Sequence, residues 1–256
     1  MTDEVQRAPR ACYVICTDER SGSNLLCHHL ESTGVLGRPF EAFKDKVTVA
    51  ALRRQGPAGL FAHLSRATTP NGVAGFKLFT GHFDLITGTD WLERLPALQF
   101  IYLERRDLLG QAISLVKANQ TSSFRASSAS VAEPWYDAEA ITFALRRLTL
   151  AQARWRLFFA TNGRHPLHLT YEELCRDPAA AVQSVAGLLH IDVSGIVSSA
   201  TAMRIQRDEV SDEWRARYVR EAGSVRRLHP LGLNALRNSA GTAVRRLVGR
   251  FPLPRW

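Results

Sequence analysis

Short apolar runs that alternate with amphipathic helical patterns constrain the fold of this chain more than any other sequence feature. The run Ala11–Thr17 is bulky and apolar, which is typical of a strand buried on both faces of a parallel sheet. Similar runs at Val73–Phe79, Leu98–Glu104 and Leu167–Thr170 predict three more strands. Helical patterns lie near residues 24–32, 108–116, 137–160, 178–189 and 211–222. This alternation predicts an α/β protein, a three-layer sandwich with a central parallel sheet.

The length and composition favour one large domain. The chain has 256 residues, 45% of them hydrophobic, which is enough for a substantial core. We expect this domain to cover residues 1–223, with a basic tail over 224–256. The longest apolar run, Ala11–Cys16, is too short to cross a membrane, and the N-terminal residues show no secretory signal pattern. The four cysteines have no C-x-x-C spacing, so we expect reduced thiols, no metal site and a cytoplasmic location.

The positive charge is concentrated in the tail. Residues 224–256 contain seven arginines and no carboxylate, so the rest of the chain carries only +2 of the net +9. The main body is therefore not expected to bind nucleic acid specifically. Three interpretations of the tail stay open: peripheral contact with an anionic membrane, packing on a second subunit in a homodimer, or a disordered end.

The loop Asp18–Asn24, DERSGSN, follows the first strand and opens a helix. Backbone N–H groups and the helix dipole favour an anion at such a position. Arg20 adds a cation, Ser21 and Ser23 add hydroxyl donors, and Gly22 permits close approach of a phosphate. The loop lacks the Gly-Lys-Ser/Thr ending of a Walker A motif. The alternative is a plain turn with a serine helix cap.

A second cationic loop, ERRDLLGQAIS, follows the strand that ends at Glu104. Arg105 and Arg106 leave this strand, and Ser114 lies on the next helix. Ligands of open parallel sheets bind outside the carboxyl ends of the strands, so two such loops suggest a ligand with two separate phosphates. The alternative is a surface arginine pair with Asp107 as a helix cap.

The order of the motifs suggests a family. RSGS, ESTGVLGRPFEAF, GVAGFKL, LERRDLLGQAIS, LTYEELCRDPAAAV and QRDEVSDEW follow one another over residues 11–222. This order resembles the bacterial sulfotransferases typified by trehalose 2-sulfotransferase and, more distantly, the sulfotransferase of Nod-factor synthesis. The resemblance implies a fold related to P-loop kinases and the donor 3′-phosphoadenosine 5′-phosphosulfate (PAPS).

The resemblance also implies which residues hold the donor. Arg20, Ser21, Gly22, Ser23 and Asn24 would hold the 5′-phosphosulfate, and Arg20 would also stabilise charge on the leaving phosphate. The 3′-phosphate would lie against residues of the second loop. They are Arg105 and Ser114, with Arg106 as an alternative to Arg105.

On the acceptor side, the resemblance implies that Glu41 is the catalytic base, although a solvated glutamate is the alternative. Lys77 could contact the donor or the acceptor, or could be a solvated lysine at the end of a strand. Glu19 and Arg38 stand where the trehalose enzyme has glutamine and glutamate, in segments that contact the sugar. These two differences predict an acceptor other than trehalose.

Two other classes compete with this interpretation. One is a nucleotide-dependent kinase on the same sheet, and the other is a basic module that binds nucleic acid or lipid. The absent Gly-Lys-Ser/Thr counts against the first, and charge confined to the tail counts against the second. His28, His29 and His82 have no partners at metal spacing and are expected to be structural or exposed. The resemblance therefore implies a PAPS-dependent sulfotransferase acting on a hydroxyl of a carbohydrate or another small metabolite.

Overall fold

The computed structural model describes residues 9–121, 133–193 and 209–224. The strands in these residues are β1 (Ala11–Thr17), β2 (Phe40–Glu41), β3 (Val73–Phe79), β4 (Gln99–Glu104) and β5 (Leu167–Thr170). The helices are α1 (Ser23–Ser32), α2 (Lys46–Ser65), α3 (Thr80–Ile86), α4 (Leu108–Thr121), α5 (Ala138–Thr161), α6 (Tyr171–Arg176), α7 (Pro178–Leu188) and α8 (Glu209–Ala222). The predicted α/β class is confirmed.

The five strands of the described residues form one sheet in the order β2-β3-β1-β4-β5. All neighbouring strands are parallel, and Ile15 in the central strand β1 lies opposite Lys77 of β3 and Ile101 of β4. After β1 the chain proceeds to the β2-β3 side of the sheet, whereas after β4 it proceeds to β5. The carboxyl ends of β1 and β4 therefore flank the point where the strand order reverses, which is where open α/β sheets bind ligands.

Both faces of the sheet are buried, as expected for parallel strands. On β1, Tyr13 and Ile15 belong to a core that also contains residues of α1 and α7. Val14 and Cys16 face the opposite core, which includes residues of α2 and α5. Successive side chains of a strand point to opposite faces, so β1 contributes to both cores. This arrangement confirms the three-layer sandwich.

The chain divides into two compact units. Among the described residues, the first unit comprises 9–106 and 151–193, and it contains the sheet. The second comprises 107–150 and 209–224. Its core joins apolar side chains of α4 and α5 to the buried Trp214 and Tyr218 of α8, and Thr142 Oγ1 lies 2.7 Å from the Tyr218 hydroxyl oxygen.

The four predicted strands are confirmed, whereas the sequence patterns did not predict β2, α2, α3 or α6. The sequence did not predict α2 partly because its helical pattern is interrupted in the middle, where Gly56 has a positive φ of 67° and Pro57 follows. The serine-rich stretch predicted as a loop at 121–130 lies outside the described residues, apart from Thr121 at the end of α4. The basic tail after Ser224 also lies outside them.

Three of the four cysteines, Cys12, Cys16 and Cys27, are buried as free thiols, and Cys175 is half-buried. Burial raises the pKa of Cys12 and Cys27 to about 12, so these thiols stay protonated at neutral pH. No helix among the described residues combines the length and the apolar character needed to cross a membrane.

Candidate active site

The loop after β1 is anchored by hydrogen bonds at Thr17, where it begins, and at Ser21. The hydroxyl of Thr17 donates to the Leu103 carbonyl oxygen of β4 at 2.7 Å, and it lies 2.6 Å from the Ser21 hydroxyl oxygen. Because the Thr17 proton goes to Leu103, the Ser21 hydroxyl donates to Thr17. The indole N–H of Trp155 donates to the Thr17 carbonyl oxygen at 3.0 Å. The Ser21 hydroxyl thus holds the loop through Thr17.

Gly22, and not a serine, is the N-cap of α1. Its φ of 87° lies in the left-handed region, and no side chain caps the helix. A Cβ atom at Gly22 would lie 2.4 Å from the ring of Tyr171, so the backbone passes directly against this ring. The interpretation of the loop as a turn with a serine cap is therefore wrong. Glycine is required here by backbone conformation and by the close approach of Tyr171.

Arg20 and Arg105 lie close enough to interact electrostatically, and Arg105 lies over the ring of Tyr171. The Arg105 guanidinium lies 4.7 Å from the centroid of the Tyr171 ring. Burial, and then the nearby charge of Arg105, lower the pKa of Arg20. Arg20 itself has a positive φ of 63°, an uncommon conformation for a residue with a Cβ atom. Two cations at the carboxyl ends of β1 and β4 form an electropositive position that an anion would stabilise.

Arg106 differs from its neighbour in both exposure and partners. Its guanidinium forms an exposed ion pair with Glu173 and donates to Thr170 Oγ1 at 2.9 Å. Thr170 and Glu173 form a reciprocal capping box at the start of α6, and the Arg106 backbone N–H donates to Glu172 at 3.1 Å. Arg106 therefore fastens the loop after β4 to α6, whereas Arg105 lies over Tyr171. Of the two arginines, Arg106 is exposed at the surface and Arg105 is half-buried, so the alternative of a surface arginine pair holds only for Arg106.

A second polar cluster lies at β2 and β3. Lys77 is only 5% exposed, and its ammonium group lies 2.9 Å from Glu41 Oε1 in an ion pair. The same ammonium group donates to the side-chain oxygen of Asn24, the second residue of α1. The alternative of a solvated lysine is wrong, because the side chain of Lys77 is buried between two acceptors. Through Asn24, this cluster is connected to the loop that contains Arg20.

Glu41 is held by backbone pairing rather than lying in a solvated loop. It occupies β2, where it pairs with Lys77 of β3, and its side chain is 35% exposed. Upstream, Gly37 has a φ of 79°, and a Cβ atom there would lie 2.9 Å from the backbone nitrogen of Gly75. The Tyr13 hydroxyl donates to the Leu36 carbonyl oxygen at 2.6 Å. The chain is thus fixed against β3 a few residues before Glu41, which pairs with Lys77.

The structure places the other predicted acceptor-side residues differently. Arg38 is exposed, and its backbone N–H donates to the Ala67 carbonyl oxygen at 2.9 Å. Glu19 is half-buried and lies close enough to His82 to act on it electrostatically. Asp18, between strand and loop, accepts a hydrogen bond from the Thr80 hydroxyl at 2.9 Å and so ties the loop to α3.

Not every predicted donor-binding residue lies in the same unit. Ser114 is in α4 of the second unit, so its joint role with Arg105 stays a prediction. Asp107 accepts from the Gly110 backbone N–H at 3.0 Å, which confirms it as the cap of α4. Sequence reasoning missed Tyr171, which the LTYEEL motif contains but which no local pattern marks as a contact of Gly22 and Arg105.

The cations Arg20 and Arg105 and the ion pair of Glu41 with Lys77 thus lie toward the carboxyl ends of parallel strands, where α/β enzymes bind their ligands. The sequence model of the Stf0 sulphotransferase family matches residues 12–60 and 62–221. The chain therefore belongs to the Stf0 sulphotransferase family, and it is a sulfotransferase.

Two similar proteins are trehalose 2-sulfotransferases, from Mycobacterium tuberculosis and Mycolicibacterium smegmatis. Each is 28% identical to this chain over 257 residues, covering 82% of this chain and 95% of the relative.

The chain is also similar to solved structures, at lower sequence identity. The sulfotransferase domain of the Synechococcus PCC 7002 olefin synthase is 16% identical, with 92% of this chain and 95% of that chain covered and a TM-score of 0.43. Retinol dehydratase in complex with androsterone and the inactive cofactor PAP is 13% identical, with 84% and 82% covered and a TM-score of 0.40.

Proposed function

We propose that this sulfotransferase uses PAPS as its donor and transfers the sulfuryl group to a hydroxyl of a carbohydrate or a related small metabolite. The observation that carries the proposal is that two groups of charged side chains lie at the same end of the sheet. One is the pair of neighbouring cations Arg20 and Arg105, of which Arg105 lies over Tyr171. The other is the Glu41–Lys77 ion pair, which is joined to the donor loop through Asn24.

The donor end would be bound by the loop Arg20–Asn24. Its backbone N–H groups, the Arg20 guanidinium and the Ser23 hydroxyl would receive the 5′-phosphosulfate. Because Asn24 Oδ1 accepts from Lys77, the amide N–H donors of Asn24 remain for an anion. Arg105, with Ser114, would bind the 3′-phosphate. Arg106 is the weaker alternative, because it is already paired with Glu173.

The residues of the second cluster would act on the incoming hydroxyl. Glu41 would accept its proton while the new sulfur–oxygen bond forms and the bond to the donor's phosphate breaks. Lys77 would hold the Glu41 carboxylate in position before the reaction and add positive charge near the transferred group. Arg20 would stabilise the negative charge that develops on the leaving phosphate.

The acceptor class is proposed from the relatives and from two substituted positions. Both mycobacterial relatives are trehalose 2-sulfotransferases, which supports a carbohydrate. Arg38 and Glu19 replace neutral or oppositely charged groups expected in a trehalose site. We therefore propose an acceptor that carries a charged group near its sulfated hydroxyl, and a reaction that takes place in the cytoplasm.

The test is transfer of labelled sulfate from PAPS to a panel of trehalose, glucosamine, glucuronic acid and glucose 6-phosphate. We expect transfer to a charged sugar and poor transfer to trehalose. Binding of adenosine 3′,5′-bisphosphate (PAP) is measured in parallel by calorimetry, with ATP as the comparison ligand. A protein that binds ATP in preference to PAP, and transfers no sulfate, would refute the proposed donor.

A further inference from the structure

His82 lies at the same end of β3 as the Glu41–Lys77 pair. It is in the first turn of α3, and its ring stacks on Phe79 with centroids 4.8 Å apart and an angle of 25° between the planes. The Lys77 ammonium group lies 5.5 Å from the centroid of the same Phe79 ring. Phe79 therefore fixes the orientation of the imidazole beside the ion pair.

His82 is half-buried and has charged groups around it. Burial lowers the pKa of His82, and the positive charge of Lys77 also lowers it. The negative charges of Glu41, Glu19 and Asp45 act in the opposite direction. These four groups come from four different parts of the chain: β2, the loop after β1, the residue that caps α2, and β3. The imidazole is therefore neutral at neutral pH and lies among the residues of the acceptor side.

One ring nitrogen has an unmet hydrogen-bonding capacity. Nδ1 of His82 is buried and has no hydrogen-bond partner among the described residues. A neutral imidazole carries one N–H donor and one acceptor nitrogen, and a buried N–H without a partner is rare in proteins. The tautomer with the proton on Nε2 avoids that cost, which makes Nε2 a donor.

We propose that His82 is an acceptor-binding residue that donates from Nε2 to an oxygen of the sugar whose hydroxyl Glu41 deprotonates. This inference rests on the proposed function and assigns a specific residue to its acceptor side. Ionised Glu41 and Glu19 can only accept hydrogen bonds, whereas a sugar hydroxyl donates through its O–H and accepts through its oxygen. A neutral donor beside two carboxylates therefore suits a polyhydroxylated acceptor that contacts both kinds of group.

The experiment compares His82→Ala and His82→Gln with the parent, and uses His168→Ala as a matched control. His168 is a half-exposed histidine that also stacks on an aromatic ring, that of Tyr102, but it pairs with Glu104. The substrates are PAPS with trehalose, glucosamine or glucuronic acid. We expect His82→Ala to raise the acceptor KM about tenfold, the scale of one hydrogen bond, and to leave PAP affinity unchanged. His82→Gln, which keeps a donor, should recover part of the loss.

A second measurement does not require turnover. In the PAP-loaded protein with labelled histidines, at least one of the three sugars should shift the His82 ring resonance and leave that of His168 in place.

Three results would overturn the proposal. The first is an unchanged acceptor KM in His82→Ala, even if its thermal stability falls. The second is a loss of kcat together with the acid limb of the pH profile, which would make His82 the base. The third is a His82 resonance that none of the three sugars moves. Failure of the proposed function appears separately, as a parent protein that neither binds PAP nor transfers sulfate.

Discussion

The loop after β1 and the segment that ends at Glu41 reach the same end of the sheet by different means. The loop has a local contact of its own, since the hydroxyls of Thr17 and Ser21 lie 2.6 Å apart and Gly22 begins α1 directly after them. Glu41 is positioned by partners from distant parts of the chain, such as Lys77 and the backbone at Gly75. The first arrangement can be recognised in a short motif, whereas the second requires the folded sheet.

The two regions also differ in charge. The loop region gathers the cations Arg20 and Arg105 near Tyr171. The Glu41 region combines carboxylates with the buried Lys77 and the neutral His82. A cationic position is suited to binding phosphate and sulfate groups, whereas a mixed position can accept a proton. Substitutions in the loop region should therefore change PAP affinity, whereas substitutions in the Glu41 region should change turnover.

The largest effect is expected at Glu41. Glu41→Gln removes the group that would accept the hydroxyl proton and should lower kcat by about 100-fold or more. PAP affinity should stay at the parental value, because the amide preserves the shape of the side chain. Glu31→Gln, at an exposed position of α1, is the control. Near-parental turnover in Glu41→Gln would remove Glu41 from the mechanism.

Arg20→Ala should give the reverse pattern. Loss of a charge-assisted contact costs about 1.5–3 kcal/mol, so PAP should bind about 10- to 150-fold more weakly by calorimetry. Arg54→Ala, an exposed cation on α2, should leave PAP binding unchanged. If the two variants bind PAP equally well, Arg20 does not contact the donor.

A smaller effect is expected at Arg38, whose side chain is exposed. Arg38→Glu should raise the KM for glucuronic acid or glucose 6-phosphate about tenfold, the scale of one contact to a charged group, and should spare PAP affinity. Efficient transfer of sulfate to trehalose by the parent would contradict the assignment of Arg38. So would unchanged acceptor kinetics in the variant.

The smallest effect concerns stability against pH. Burial lowers the pKa of His29, His63 and His82 below the ordinary value of 6.5. The unfolded chain therefore binds more protons than the folded chain just below pH 6.5, so stability is complete above that pH and is lost as pH falls. Urea unfolding should show a lower midpoint at pH 5 than at pH 7, and His29→Gln should reduce the difference. Equal midpoints at both pH values would contradict this.

The sheet was predictable because its strands are short apolar runs, and alternate residues of β1 fill both cores. The loop after β1 was predictable for a similar reason, since its residues are contiguous. The solvated interpretation of Lys77 was wrong because burial beside Glu41 and Asn24 depends on sheet register, which a single strand does not reveal. Tyr171 was missed for the same reason, because it contacts Gly22 and Arg105 only once distant parts of the chain have come together. The proximity of His82 to Glu41 likewise depends on the pairing of β2 with β3.

The most direct test of the account compares PAP with adenosine 5′-phosphate by calorimetry, in the parent and in Arg105→Ala. The parent should prefer PAP, because in the proposed site Arg105 would add a contact to the 3′-phosphate beyond those made by the loop after β1. Arg105→Ala should lose most of that preference while retaining its affinity for adenosine 5′-phosphate. A parent that binds the two nucleotides equally, or an Arg105→Ala variant that keeps the full preference for PAP, would contradict a donor site built from both cationic loops.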